Sequence, residues 1–308
     1  MLIIIKYTTM ARFTRIILLM IISSYTFGQN YQTEFSKYLQ EGDTIKQFEV
    51  LTKWEKASPK DAELFTSYFN YFFSKSRKEI LVLASGSPTK KEETLILKDS
   101  LGQKVGYIGN QINYEKTNLQ MAFEKINKGI KLYPNRLDMR FGKIYALGQN
   151  KNWKDFTKEI INTIDYSNKI NNKWTWTNNK PVENPKVFFL NSIQGYQTQI
   201  YNTEDDSLLK NMREISERIL KYHPNHVKSL SNISISYLLT GQYEKGLIPL
   251  LKAEKIDPKD AIILNNIAQA YKLKGDKKNS IKYYKKTIEF GDNRLKQFAK
   301  EQIELLEK

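Results

Sequence analysis

An all-α array of helical hairpins, stacked as a solenoid and carrying a small β-hairpin insertion, is the fold class this sequence predicts. Three observations predict it. First, a pattern recurs after 34 residues: Pro224 and Pro258, Gly241 and Gly275, Tyr237 and Tyr271, Leu230 and Leu264, Ile233 and Ile267. Second, within each copy the apolar residues follow a helical period, with glycine ending one helix and a second helix following before the proline position. Third, residues 79–110 lose that rhythm and read as short apolar runs around turn residues.

Taken in order, residues 1–28 read as a signal peptide. Arg12 and Arg15 form a basic start, Ile16 to Ile22 a short apolar core, and Ser23 to Gly28 a small-residue exit, with Met10 as an alternative start. The apolar run is short for a membrane span, so cleavage between Gly28 and Gln29 is favoured over retention as an anchor. The mature chain is then expected to be exported, to the periplasm or another extracytoplasmic space, with no integral span. It has no cysteine, so no disulfide or lipid-modified cysteine contributes.

Residues 29–76 read as N-terminal helices of the same kind. Phe48, Leu51 and Trp54 face one way on one helix, Phe65, Tyr68, Phe69 and Phe72 on the next, and Pro59 separates them. Residues 77–110 form the insertion. Ile80 to Leu83 is one apolar run and SGSP a turn, while Thr94–Leu97 and Val105–Ile108 flank a loop of Asp99, Ser100, Leu101 and Gly102. Pro59 and Pro134 are 75 residues apart, one repeat plus 41, which places this small antiparallel sheet inside a repeat, between its two helices. Its second helix is expected over 112–132, where Ala122, Ile126 and Gly129 give a small, large, small pattern before Pro134.

Residues 111–222 continue as divergent helix pairs: 137–148 with 152–167, and 186–202 with 206–222. Between the pairs, residues 171–185 (NNKWTWTNNKPVENP) form a polar loop or short strand in which Trp174 and Trp176 alternate and so share a side. Two readings stand for this loop: an aromatic shelf for a sugar ring or peptide side chain, and a loop pinned by two indoles, which are large and usually buried.

Residues 223–292 hold the two regular units. Counting Val227 as position 1, the first carries Leu230, Ile233, Ser234, Tyr237, Gly246, Leu250, Ala253 and Pro258. The second, from Ala261, carries Leu264, Ile267, Ala268, Tyr271, Ser280, Tyr284 and Thr287, with Asp292 at the proline position. These residues resemble the tetratricopeptide repeat (TPR), whose 34-residue unit is a helix hairpin. The resemblance implies a non-enzymatic scaffold that binds a protein or peptide partner. Residues 293–308 read as an amphipathic capping helix, which a stacked array needs at its end.

Function is less legible than fold. Hydrophobic residues are 40% and charged residues 27%, which excludes a multi-span membrane protein and a disordered chain. The net charge of +16 falls to +13 without residues 1–28, since Lys6, Arg12 and Arg15 leave and no acid does. Lysine outnumbers arginine 41 to 8, and arginine is the residue that forks onto phosphate and guanine, so with an export signal the balance argues against nucleic acid. No zinc-protease, nucleophile-elbow or phosphate-loop motif occurs, and no cofactor, metal or catalytic site is expected. His223 and His226 lie three apart, but no further ligands complete a metal site. The lysines between Lys272 and Lys286 read as a solvated face or an attraction for an acidic partner.

The sharpest lead comes from the resemblance. Asn232 and Asn266 share position 6, which in that family faces the concave groove, and an amide both donates and accepts. With Lys228 at position 2 and Gln269 at position 9 they imply a polar cradle for an extended peptide. The alternatives are a carbohydrate- or ligand-binding accessory using Trp174 and Trp176, and an enzyme with its site in the hairpin and the tryptophan loop.

Overall fold

Seven of the described helices start on a side-chain cap. In the computed structural model, which describes residues 30–84 and 94–308, the carboxylates or amide of Asp43, Asp61, Glu115, Asn152, Asp260, Asp276 and Asp292 each accept a backbone N–H in the first turn of the helix that follows. Such a cap satisfies a donor that the helix cannot. The signal-peptide reading and the SGSP turn lie outside the described residues. The described residues divide into two units: those up to Ala146 with Thr175–Lys180, and Leu147–Trp174 with Pro181–Lys308.

The first unit runs α1 (residues 30–41), α2 (Thr44–Ala57), α3 (Ala62–Ser76), β1 (Arg77–Ala84), β2 (Thr94–Lys98), β3 (Lys104–Tyr114), α4 (Lys116–Leu132) and the start of α5 (Leu137–Gln149). Its core is aromatic: Trp54, Phe65, Tyr68, Phe69 and Phe72 are buried, together with Leu51, Ile126 and Met139. α3 and α4 pack as one hairpin although the whole sheet lies between them in sequence. A Cβ on Gly129 of α4 would sit 2.9 Å from the Phe65 Cβ of α3 and 3.0 Å from the Met139 sulfur, so glycine is what permits the approach.

The insertion is tolerated because its two ends meet. Arg77 leaves α3 in extended conformation and pairs with Tyr114, and the Glu115 N–H donates to the Ser76 carbonyl at 2.7 Å. The entry and exit points are therefore as close as in a short loop. The sheet is antiparallel with order β1–β3–β2, so the central strand is the last in sequence. The β2–β3 turn is as expected: Asp99 accepts from the N–H groups of Leu101 and Gln103, and Gly102 takes φ +77°. The helix expected over 112–132 is shorter than its apolar pattern, because β3 continues to Tyr114 and Glu115 caps α4 through the N–H groups of Thr117 and Asn118. Those two donors hold the Glu115 carboxyl down at about 2.

The second unit takes the end of α5, then α6 (Trp153–Lys169), α7 (Pro185–Tyr201), α8 (Leu209–Tyr222), α9 (Val227–Leu238), α10 (Tyr243–Ile256), α11 (Ala261–Lys274), α12 (Lys277–Phe290) and α13 (Asn293–Glu307). Short strands β4 (Thr175–Trp176) and β5 (Lys180–Pro181) pair across the tryptophan loop. The repeat predicted over 223–292 is a pair of helix hairpins, α9–α10 and α11–α12. Leu230, Leu250, Ala253, Leu264, Ile267, Ala268 and Tyr284 form their buried core, and Ala299 of α13 closes it. Gly275 ends α11 at φ +84°, a left-handed conformation that a side chain resists.

The small positions are close helix contacts. Ser280 donates its hydroxyl to the Ala268 carbonyl at 2.9 Å, bringing α12 directly onto α11. A Cβ on Gly246 would lie 3.3 Å from the Ser234 carbonyl and closer still to Leu238. Asp292, at the proline position of the second unit, accepts the Leu295 N–H and starts α13. Ala268→Leu should therefore overpack this contact and lower stability by about 1–3 kcal/mol in urea unfolding, with helix content retained.

Candidate functional site

On α9 and α11 of the second unit, residues 228, 232, 262, 266, 269 and 273 fall on one face of their helices by their three- and four-residue spacing. The structure treats the four polar members differently. Asn232 is buried at 6% exposure, and its amide nitrogen donates to Gln194 at 2.9 Å and to Gln197 at 2.8 Å, both on α7. Gln197 is buried in turn and donates to the Met212 carbonyl of α8. Asn232 is thus a tie between repeats, and both N–H groups of its amide are spent within the chain. The repeat spacing gave an open, groove-facing amide here and was silent about Gln194 and Gln197, whose helix does not follow the 34-residue spacing.

Lys228 is exposed and donates to Asn191 of α7 at 3.0 Å. Asn266 is half-buried and spends one N–H on the Ser231 hydroxyl of α9 at 3.1 Å; its carbonyl and second N–H have no partner among the described residues. Gln269, one turn further on, is half-buried, and its side chain makes no hydrogen bond among the described residues. Ile262 and Leu273 complete the stripe and are exposed. The repeat spacing already put Ile262 at position 2, equivalent to Lys228; Leu273 was missed, because an isolated exposed leucine is common and carries no signal. Next to Asn266, the Asn265 carbonyl oxygen is buried without a partner. The stripe therefore offers apolar contact at each end and amide donors and acceptors in the middle.

Trp174 and Trp176 belong to different units. Trp174 is 2% exposed in the second unit, stacked on Phe189 with ring centroids 6.0 Å apart and donating its indole N–H to the Ser167 hydroxyl at 2.9 Å. Enclosed in this way, Trp174 presents no face to a sugar or peptide, which corrects the aromatic-shelf reading. Trp176 belongs to the first unit and meets Phe141 edge-on at 6.2 Å.

What holds this loop in the first unit is a buried charge cluster that the sequence did not announce. Arg136, 1% exposed, donates to Glu63 at 2.6 and 3.1 Å and to Asp138 at 2.9 and 2.7 Å. Glu63 also accepts the Asn178 N–H of the loop at 2.8 Å. The two carboxylates and their hydrogen bonds hold the guanidinium pKa above its ordinary value despite burial, which acts in the opposite direction. The cluster is saturated, so its role is positional.

His226 precedes α9 and its Nδ1 lies 2.8 Å from the Ser229 hydroxyl. Burial, reinforced by the neighbouring His223, Lys228 and Lys186, lowers its pKa to about 4. Among the described residues no three metal-ligating side chains come together. Of the C-terminal lysines, Lys272 donates to Gln302, Lys274 pairs with Glu244 at 3.6 Å and Lys286 with Glu254 at 2.6 Å.

Residues 261–290 match the tetratricopeptide repeat family model. A search of curated protein sequences finds no match. Solved structures that are similar include YrrB, a TPR protein with an unusual peptide-binding site (14% identity, 82% of this chain and 97% of that one, TM-score 0.41). A second is the C-terminal part of a TPR repeat-containing protein from Cytophaga hutchinsonii (10% identity, 84% and 78%, TM-score 0.42). A third is PilW, a type IV pilus biogenesis factor (11% identity, 84% and 90%, TM-score 0.36).

Two measurements check the local energetics. Glu63→Ala leaves Arg136 buried with one of its two carboxylates gone, and should cost about 3–5 kcal/mol in chemical denaturation. For His226 the folded pKa lies below the unfolded one, so between about 6.5 and about 4 the unfolded chain binds a proton that the folded chain does not. Its contribution is present above pH 6.5 and is lost as pH falls to about 4; the thermal midpoint of His226→Asn should fall less steeply across that window than that of the unaltered chain.

Proposed function

We propose, from the premise that this chain is a tetratricopeptide-repeat protein, that it is an exported, non-enzymatic scaffold that holds an extended peptide segment of a protein partner along α9 and α11. The observation that carries the reading is the stripe of Ile262, Asn266, Gln269 and Leu273, which combines exposed apolar ends with unspent amide groups. An amide can meet both a peptide N–H and a peptide carbonyl, so recognition of this kind depends on backbone more than on sequence. Lys228 beside the stripe favours an acidic residue or a carboxylate in the ligand. Asn232 acts indirectly, by fixing α9 against α7 through Gln194 and Gln197.

Export rests on the basic, apolar and small-residue order of residues 10–28. No helix among the described residues is long and apolar enough to cross a membrane. The envelope is the compartment this reading assigns, and a partner there is the expected ligand.

Capture from an envelope extract tests the proposal. Asn266→Ala with Gln269→Ala should weaken retention of a captured partner by roughly 5- to 150-fold, at about 0.5–1.5 kcal/mol for each hydrogen bond. Asn232→Ala should instead lower the unfolding midpoint. Unchanged capture by the Asn266 and Gln269 double variant would remove this face as the binding surface.

A further inference from the structure

The sheet of the first unit carries its apolar residues outward. Leu81 is 76%, Leu83 69%, Leu95 72% and, at the β2–β3 tip, Leu101 81% exposed. The register puts most of them on one face. Leu83, Ile108 and Leu95 form one row across all three strands, and Leu81 and Leu97 lie two residues along on the same side. Leucines at this exposure on a sheet with two open edge strands are a liability in water, and proteins ordinarily cover or charge such a surface.

The described charges of the sheet are positive in excess: Arg77, Lys78, Lys98 and Lys104 against Glu79 and Asp99. The described acids of the sheet are already engaged: Glu79 pairs with Arg77 at 2.8 Å, and Asp99 accepts two N–H groups of its own turn. Lys78, Lys98 and Lys104 have no ion-pair partner among the described residues. Lys98 and Lys104 are moreover directly opposite in the register, at the tip that carries Leu101. Like charges in opposed positions repel and weaken a strand pair. An anionic layer at the tip would turn that repulsion into attraction.

We propose that the β1–β3–β2 sheet docks on an anionic lipid surface, with Leu101 and the Leu81, Leu83 and Leu95 face entering the headgroup boundary and Lys98 and Lys104 meeting lipid phosphates. A second copy of the chain is the weaker occupant. Three strands about 4.8 Å apart and about 26 Å long present roughly 350 Å², against about 800 Å² for each partner of a stable interface. A lipid surface has no such threshold, since each apolar side chain and each lysine contributes separately. This docking is independent of the peptide-holding stripe, which lies in the other unit.

The chain contains no cysteine, so a single probe can be placed at will. Leu101→Cys, labelled with nitrobenzoxadiazole on the full chain, is mixed with phosphatidylcholine vesicles with and without phosphatidylglycerol. Emission should shift to the blue and brighten only with phosphatidylglycerol, while the same label at Ser207→Cys in the second unit stays unchanged. Because the label reports the tip, partitioning through residues 1–28 does not imitate the result. Lys98→Gln with Lys104→Gln should weaken the response about 25-fold, at about fivefold for each lysine near the surface. Leu81→Ser with Leu95→Ser should weaken it further, with far-ultraviolet circular dichroism unchanged. Emission at position 101 that ignores vesicles to which the chain is bound would overturn the proposal, as would indifference to the two lysine substitutions. A shift that follows protein concentration without vesicles would overturn it in favour of a second copy.

Discussion

Close approach of paired helices is the constraint on which the rest of this structure depends. Gly129 against Phe65, Gly246 against Ser234, and Ser280 bonded to the Ala268 carbonyl are all places where a larger side chain has no room. Helices in such contact leave narrow gaps that large side chains from the adjacent turns must fill. The first unit fills them with phenylalanine, tyrosine and tryptophan; the second uses leucine, isoleucine and Tyr284. With no disulfide available, this packing carries the stability of both units.

The same constraint explains how a whole sheet can interrupt a helix hairpin. α3 and α4 are held by their own side-chain contact, so the connection between them is free to lengthen provided its ends return to one place. Lengthening a closed loop costs little, because the entropy of closure grows only logarithmically with length. The Arg77–Tyr114 pair and the Glu115 to Ser76 bond supply that closure. Apart from Tyr114, which stacks on Phe73, the strands contribute little to the core, and Leu81, Leu83 and Leu95 are exposed.

Polar groups inside the two units divide into those that are satisfied and those that are not. Arg136 with Glu63 and Asp138, and Asn232 with Gln194 and Gln197, form closed networks that fix a loop and a helix register. Buried networks of this sort specify position and leave nothing for a ligand. Asn266 and Gln269 have the same chemistry in a shallower setting and keep bonding capacity in reserve. Depth, and not residue type, separates the amides whose bonds are closed within the chain from those that keep some open.

The sequence by itself determined the helical-hairpin repeat, its small contact positions, an amphipathic helix after residue 292 and the presence of a sheet after α3. Each depends on local periodicity, a cap or a turn residue, and these act over a few residues. The 34-residue spacing also put Asn232 and Asn266 on equivalent turns. Tertiary structure alone decided that Asn232 is buried against α7, that Trp174 and Trp176 enter different units, and that Arg136 reaches Glu63, 73 residues away. It also decided that β1 pairs with β3 and leaves its leucines uncovered. Burial and partner choice depend on which distant segments arrive at the same place, and a pattern read along the chain carries no record of that.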